Sequence, residues 1–285
     1  MSPGINLMES ISDNRRAALA IAHPGHELKV YGWVCLAHPL VFVLTDGSGR
    51  TGNSRLSATT HVLGELKSEA GGIYGRFTDV EIYAAILGRD LNLFIALAEE
   101  LAEAFVKSEI EYVVSDAIEG YNPAHDMCRV LADAAANLAR RKSPSRYIER
   151  FDILLISKLS DRANQFPNDL HRVSLDEVTT SRKLESSRAY SELAGEVNRV
   201  ISEEGAASLK TEYLWRAHPL DFQKDLFSGA PYYEQYGEQQ AAAGYYADVI
   251  RYRQHFLPLA KGLMDYAVGC RTSAHARANY QQYAR

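Results

Sequence analysis

The sequence predicts one α/β domain built on a parallel sheet, with a helical C-terminal extension. Three observations predict it. Short apolar runs alternate with amphipathic stretches through the first part of the chain, the pattern of successive βαβ units with helices on both faces. The runs are apolar throughout, without the alternation of a strand that is wet on one side. From about residue 176 onward the pattern becomes mainly helical.

The elements follow in order. After a loose lead-in, RAALAIAH gives a first strand over residues 17–22, buried on both faces. ELKVYGWVCLA continues as a helix. LVFVLTDGSG gives a second strand over 40–45 that enters the turn Asp46-Gly47-Ser48-Gly49. SRLSATTHVLGELKSEAG reads as a helix ended by Gly71 and Gly72. IYGRFTDVEIYAA, with Arg76, Asp79 and Tyr83, reads as a segment over the cleft. In DLNLFIALAEELAEAFVKSE, Leu93, Leu97, Leu101 and Phe105 fall on one stripe of an amphipathic helix. IEYVVSDAIEG is a strand that stops at Ser115-Asp116. DMCRVLADAAANLARR is a helix with basic residues at its C-terminal end, as the helix dipole favours. FDILLISKL is a further strand. There is no internal repeat, so the chain divides into a core, 1–175, and a mainly helical part, 176–285, packed on it.

Composition bounds the function. The chain has 285 residues, 46% hydrophobic and 24% charged, enough for a sizeable core. A net charge of −5 argues against a nucleic-acid surface, and we expect no nucleic-acid partner. No apolar run approaches the ~18 residues of a membrane span, and the N-terminus lacks a signal-peptide core. Cys35, Cys128 and Cys270 are odd in number and far apart, which reads as reduced thiols in a cytoplasmic protein. A homo-oligomer is compatible with the composition.

Ligands of open parallel sheets gather at the carboxyl ends of the strands. Three such loops carry the suggestive chemistry: HPGHE, TDGSGRTG and SDAIEGYNPAHD. His23 and His26 approach one metal if Pro24-Gly25 turns their rings together; otherwise they are ordinary turn residues. His125, in the third loop, offers a third imidazole. Neutral imidazoles bind zinc, iron and similar divalent ions, and three protein ligands leave a position for water. Arg50 and Arg55 flank the glycine-rich loop, where an arginine can fork onto a phosphate or carboxylate of a small-molecule substrate. Arg76 is a further candidate for substrate binding.

These motifs carry a family resemblance over about residues 17–140. HPGHE resembles the AHPDDE opening of the LmbE/PIG-L-like zinc-dependent N-deacetylases. EGYNPAHD resembles their second motif, DGxHPDH, and DGSGRTGNSR their TDG…R loop. RKLESSRAY and EYLW resemble the family's C-terminal half more weakly. The resemblance implies a Rossmann-like fold, and an enzyme that removes an acyl group from an amino sugar or related small amide, in glycan or secondary-metabolite biosynthesis. It implies one divalent metal, zinc with iron as the alternative, held by His23, His26 and His125. His26 takes the place of a family aspartate. The family's general base falls on Gly25, its assisting histidine on Asn122, and a further aspartate on Ala124.

The chain therefore keeps a metal cage and loses the usual acid–base pair. Glu119, Asp46 and Asp116 are the replacement acids, with Glu27 behind them, although each also suits a loop or helix-start role. Asn122 or Tyr121 suits an oxyanion donor, which need not titrate. The same changes suit a different metal-dependent reaction at a three-histidine site, or a non-catalytic ligand-binding member. APYYEQYGEQQAAAGYYADVIRYRQH holds six tyrosines, whose rings suit either a sugar pocket or helix packing.

Overall fold

A computed structural model describes residues 15–49, 52–157, 169–190, 202, 209–222, 224 and 226–270. Strands β1 (Ala17–Ile21), β2 (Leu40–Thr45), β3 (Glu69–Phe77), β4 (Tyr112–Asp116), β5 (Glu149–Ile153), β6 (Leu170–Ser174) and β7 (Thr211–Arg216) form one sheet. Its order is β3-β2-β1-β4-β5-β7-β6. The first five strands are parallel, and β7 runs antiparallel to both β5 and β6. The chain winds outward from β1 through β2 to β3, then returns to place β4 on the other side of β1. That reversal opens a crevice between the ends of β1 and β4, where such sheets bind ligands.

Both faces of the sheet are covered. On β1, Ala18 and Ala20 belong to one buried cluster, while Ala17, Leu19 and Ile21 belong to the other. The first cluster holds α4 (Leu91–Lys107) and α5 (Pro123–Lys142). The stripe of Leu93, Leu97, Leu101 and Phe105 is buried there. Small side chains on β1 and on the alanine-rich α5 let helix and strand approach closely. The second cluster holds α1 (Tyr31–Ala37) and α2 (Leu56–Leu66), with Trp33 and Tyr112 in edge-to-face contact. The remaining helices are α3 (Asp79–Gly88), α6 (Glu177–Ala189), α7 (Tyr232–Ala242) and α8 (Leu257–Val268). Among the described residues, no helix is long and apolar enough to cross a membrane.

The structure departs from the sequence reading in three places. First, α2 ends at Leu66, where Lys67 takes a left-handed conformation, and residues 69–77 form a parallel edge strand. The glycines taken for a helix stop serve strand packing instead. A side chain at Gly71 would meet the Phe42 ring at 2.3 Å. Second, the C-terminal part is not only helical, because residues 211–216 join the sheet as β7. Third, α5 begins at Pro123, ahead of Asp126. Asn122 accepts the Ala124 N–H as its cap, and proline at the first position needs no N–H partner.

Strand β7 is tied to the core by a buried charge. Glu212 accepts the N–H groups of Gly32 and Trp33 at 2.8 and 2.9 Å, in the first turn of α1. Its carboxylate also pairs with Lys183 of α6 at 2.7 Å. Those N–H groups have no partner within the helix, and the helix dipole favours an anion there. Glu212→Ala strands the lysine and both N–H groups. We predict a loss of about 3–5 kcal/mol in unfolding free energy, measured by urea denaturation.

Candidate metal centre

Three histidine rings meet at the crevice between β1 and β4. Ring centroids lie 5.4 Å apart for His23 and His26, 4.9 Å for His23 and His125, and 4.6 Å for His26 and His125. His23 follows β1, His26 opens a short 3-10 turn over His26–Val30, and His125 lies in the first turn of α5. The link between the first two is Gly25, at φ 103°, a conformation that L side chains rarely adopt. Glycine lets the chain double back here, and an aspartate at this position would be strained.

Each of the first two rings has a carboxylate behind it. His23 Nδ1 lies 2.9 Å from Asp79 Oδ1 and 2.8 Å from Thr45 Oγ1. His26 Nδ1 lies 2.9 and 3.0 Å from the two oxygens of Asp116. A carboxylate partner holds the proton on Nδ1 and leaves the Nε2 lone pair for a metal. His23 Nε2 is buried and has no hydrogen-bond partner among the described residues. Burial is the first cause that pushes His26 well below the usual histidine range. His125 is lowered likewise, by burial and then by His26 and His23. Both are therefore neutral near pH 7, the form that ligates metals. The donor set thus suits a divalent ion in kind. The rings are gathered without being closed into a coordination sphere, since no described group of three His, Cys, Asp or Glu is arranged to hold a metal.

The acids divide by what they touch. Asp116 is fully buried at the end of β4, and burial pushes its carboxyl up to about 7. Besides His26 it accepts the Ala22 N–H at 2.8 Å, which fastens the end of β1 to the end of β4. For Asp79, burial alone would raise the carboxyl. Hydrogen bonds from His23, Thr45 and the Gly49 amide bring it far below the usual range. Glu119 accepts the N–H groups of Leu155, Ile156 and Ser157 and so anchors the chain after β5. Asp46 accepts the Ser48 N–H at 2.9 Å. Glu27 accepts the Gly25 N–H and a short hydrogen bond from the Tyr190 hydroxyl, holding the turn between the two histidines.

Three of the remaining candidates, Tyr121, Asn122 and Arg55, lie in or beside these loops. The Tyr121 ring lies 6.4 Å from that of His125. Asn122 donates to the Tyr83 hydroxyl at 2.8 Å. Arg55 Nε donates to the Gly47 carbonyl at 2.8 Å. A side chain at Gly47, where φ is 68°, would meet both Arg55 and Pro24 at under 3 Å, so the second loop lies directly on the first. Arg76, on β3, forks onto Glu100 of α4. Arg50 lies outside the described residues. Asp79 and Thr45 were not singled out as site residues from the sequence. The available signal was Thr78-Asp79 directly after a strand, hidden because the glycine-rich β3 did not read as one.

No family model matches the sequence, and no curated protein matches it. Several solved structures are similar to it. The A40926 pseudoaglycone deacetylase Dbv21 is 17% identical with a TM-score of 0.47, over 72% of this chain and 97% of that one. The zinc-inhibited form of teicoplanin deacetylase Orf2 is 13% identical with a TM-score of 0.45, over 72% and 100%. The conserved protein TT1542 from Thermus thermophilus is 16% identical with a TM-score of 0.46, over 76% and 100%. Likeness at this level carries no inference about activity.

The contacts of Glu119 give a direct test of its role. Glu119→Ala leaves three backbone N–H groups without their acceptor. We expect it to lower the unfolding free energy by about 1–3 kcal/mol, read from denaturant titration. A residue needed only for chemistry would leave stability unchanged.

Proposed function

We propose that this chain is a metal-dependent hydrolase similar to the LmbE/PIG-L deacetylases. It removes an acyl group from an N-acyl amino sugar or a related small amide. The observation that carries the reading is the meeting of His23, His26 and His125 at the sheet's reversal point, with two of the rings backed by carboxylates. These three imidazoles would hold one divalent ion, zinc in the first place and iron as the alternative. An ion held there would supply Lewis acidity for activating water near pH 7 and polarising an amide carbonyl.

The chain's own residues do the rest. Asp79 and Asp116 act as positioning residues, keeping His23 and His26 in one tautomer and one orientation. Tyr121, beside His125, donates its hydroxyl toward the oxygen on which charge develops. Asn122 caps α5 and thereby sets the direction in which His125 points. Arg55, held by the Gly47 carbonyl, would face polar groups of the substrate. Asp46, which commits one oxygen to the Ser48 N–H, would be the acid that takes a proton from the attacking water. Glu119, the other acid of the third loop, is occupied by three backbone N–H groups.

Gly25 favours a second reading. With no carboxylate at that position, the centre also suits a metal reaction that needs no such base, with iron as the ion. Oxygen-dependent turnover by the iron-loaded protein, without amide cleavage, would select it.

Two experiments bear on the first reading. His23→Ala and His125→Ala should each abolish bound metal, measured by elemental analysis, and release of acyl group from N-acyl amino sugars. Retention of both properties in both variants would sink the proposal. Asp79→Asn should keep the ligand but weaken metal affinity about 10–100-fold, read by competition with a chelator. Unchanged affinity would remove Asp79 from its positioning role.

A further inference from the structure

A line of tyrosine rings leads outward from the three-histidine centre. Tyr121, 6.4 Å from His125, lies against Tyr232 with centroids 5.1 Å apart and planes only 3° from parallel. Tyr232 is followed one helical turn later by Tyr236, at 6.0 Å and 23°. Tyr246 then meets Tyr236 edge-on at 6.4 Å. Parallel rings at 5.1 Å are offset, so they do not cover each other completely. Tyr121, Tyr232 and Tyr236 are 40%, 51% and 36% exposed, whereas Tyr233 between them in sequence is buried against Phe256.

The arrangement is fixed from behind. Tyr233 N–H donates to the Gly120 carbonyl at 3.1 Å, which pins the start of α7 to the third loop. Gly120 has φ 66°, and a side chain there would meet Phe227 at 2.8 Å and Pro231 at 2.9 Å. Farther along α7, Glu234 accepts the Tyr252 N–H and pairs with Arg251, which also binds Glu238. The helix is therefore held in place while it turns its other tyrosines toward solvent, in line with the metal centre.

Outward aromatic rings beside a polar site suit a ligand with an apolar face and a polar rim. A pyranose ring has both: its C–H face lies on an aromatic ring, and its hydroxyls bond to phenol oxygens. A nucleic-acid strand would need cations along the same path, and Arg251, the arginine that meets α7, is taken up by Glu234 and Glu238. We propose that Tyr121, Tyr232 and Tyr236 form a saccharide subsite continuous with the three-histidine centre, which takes the sugar next to the acylated one. The proposal rests on the amino-sugar reading above, and it makes the substrate an oligosaccharide or glycoside.

The test is calorimetric titration of the full chain with one- to four-sugar series of N-acetylglucosamine, glucose, galactose and mannose, and with the phenyl glycoside of N-acetylglucosamine. In at least one series, affinity should rise about tenfold between one sugar and two or three. Tyr232→Ala and Tyr236→Ala should lose that gain while binding the single sugar as before, with an unchanged melting temperature. His23→Ala should keep the gain, because the tyrosines do not depend on the metal. The metal-loaded wild type separates the two ideas: a length-dependent gain without release of acetate from the N-acetylglucosamine series removes the hydrolase reading and leaves the subsite. No binding in any series, no gain with length, a gain that survives both tyrosine variants, or an equal gain from the phenyl group alone would overturn the subsite.

Discussion

The buried carboxylate of Asp116 holds together the part of the molecule on which the site depends. It ends β4, accepts the N–H of Ala22 just past β1, and holds His26 by Nδ1. One side chain thus closes the sheet at its reversal point and aims a ring of the site. Burial opposes its ionisation, and its hydrogen bonds favour it. An anion so placed is costly without partners, and this one has a backbone N–H and an imidazole. Fold and site share the same contact, so disturbing either disturbs both.

The same economy recurs around the crevice. Asp79 binds His23, Thr45 and the Gly49 amide, so it orients a ring and orders the second loop together. Asp126 accepts the N–H groups of Glu119 and Gly120 and shapes the third loop; burial pushes its carboxyl up to about 8. Glu27 receives the Gly25 amide and Tyr190, tying the first loop to residues far along the chain. Each loop is held by a buried acid whose oxygens accept its backbone N–H groups. With glycine at position 25, rigidity of this kind keeps the imidazoles together.

Much of this was legible in the sequence. Apolar runs marked β1, β2 and β4, and the spacing of leucines marked α4, because burial on both faces or on one stripe imposes its period directly. The two histidine motifs stood at strand ends, so their convergence could be expected from the logic of a parallel sheet. Glu119 and Asp46 ranked slightly above Asp116 as reactive acids, since a sequence does not show which carboxylates meet backbone N–H groups and which meet imidazoles.

The sequence by itself determined the fold class, the strand-end placement of His23, His26 and His125, and the absence of a carboxylate at Gly25. Tertiary structure alone decided three things. It made residues 69–77 a strand, because Gly71 packs against Phe42, a contact between elements that local pattern does not record. It paired His23 with Asp79 and His26 with Asp116, partners 56 and 90 residues away in sequence. And it laid Tyr232 on Tyr121 by fastening α7 to Gly120. Periodicity reports which way a residue faces; which side chains then meet depends on strand order and loop closure, and these are properties of the whole chain.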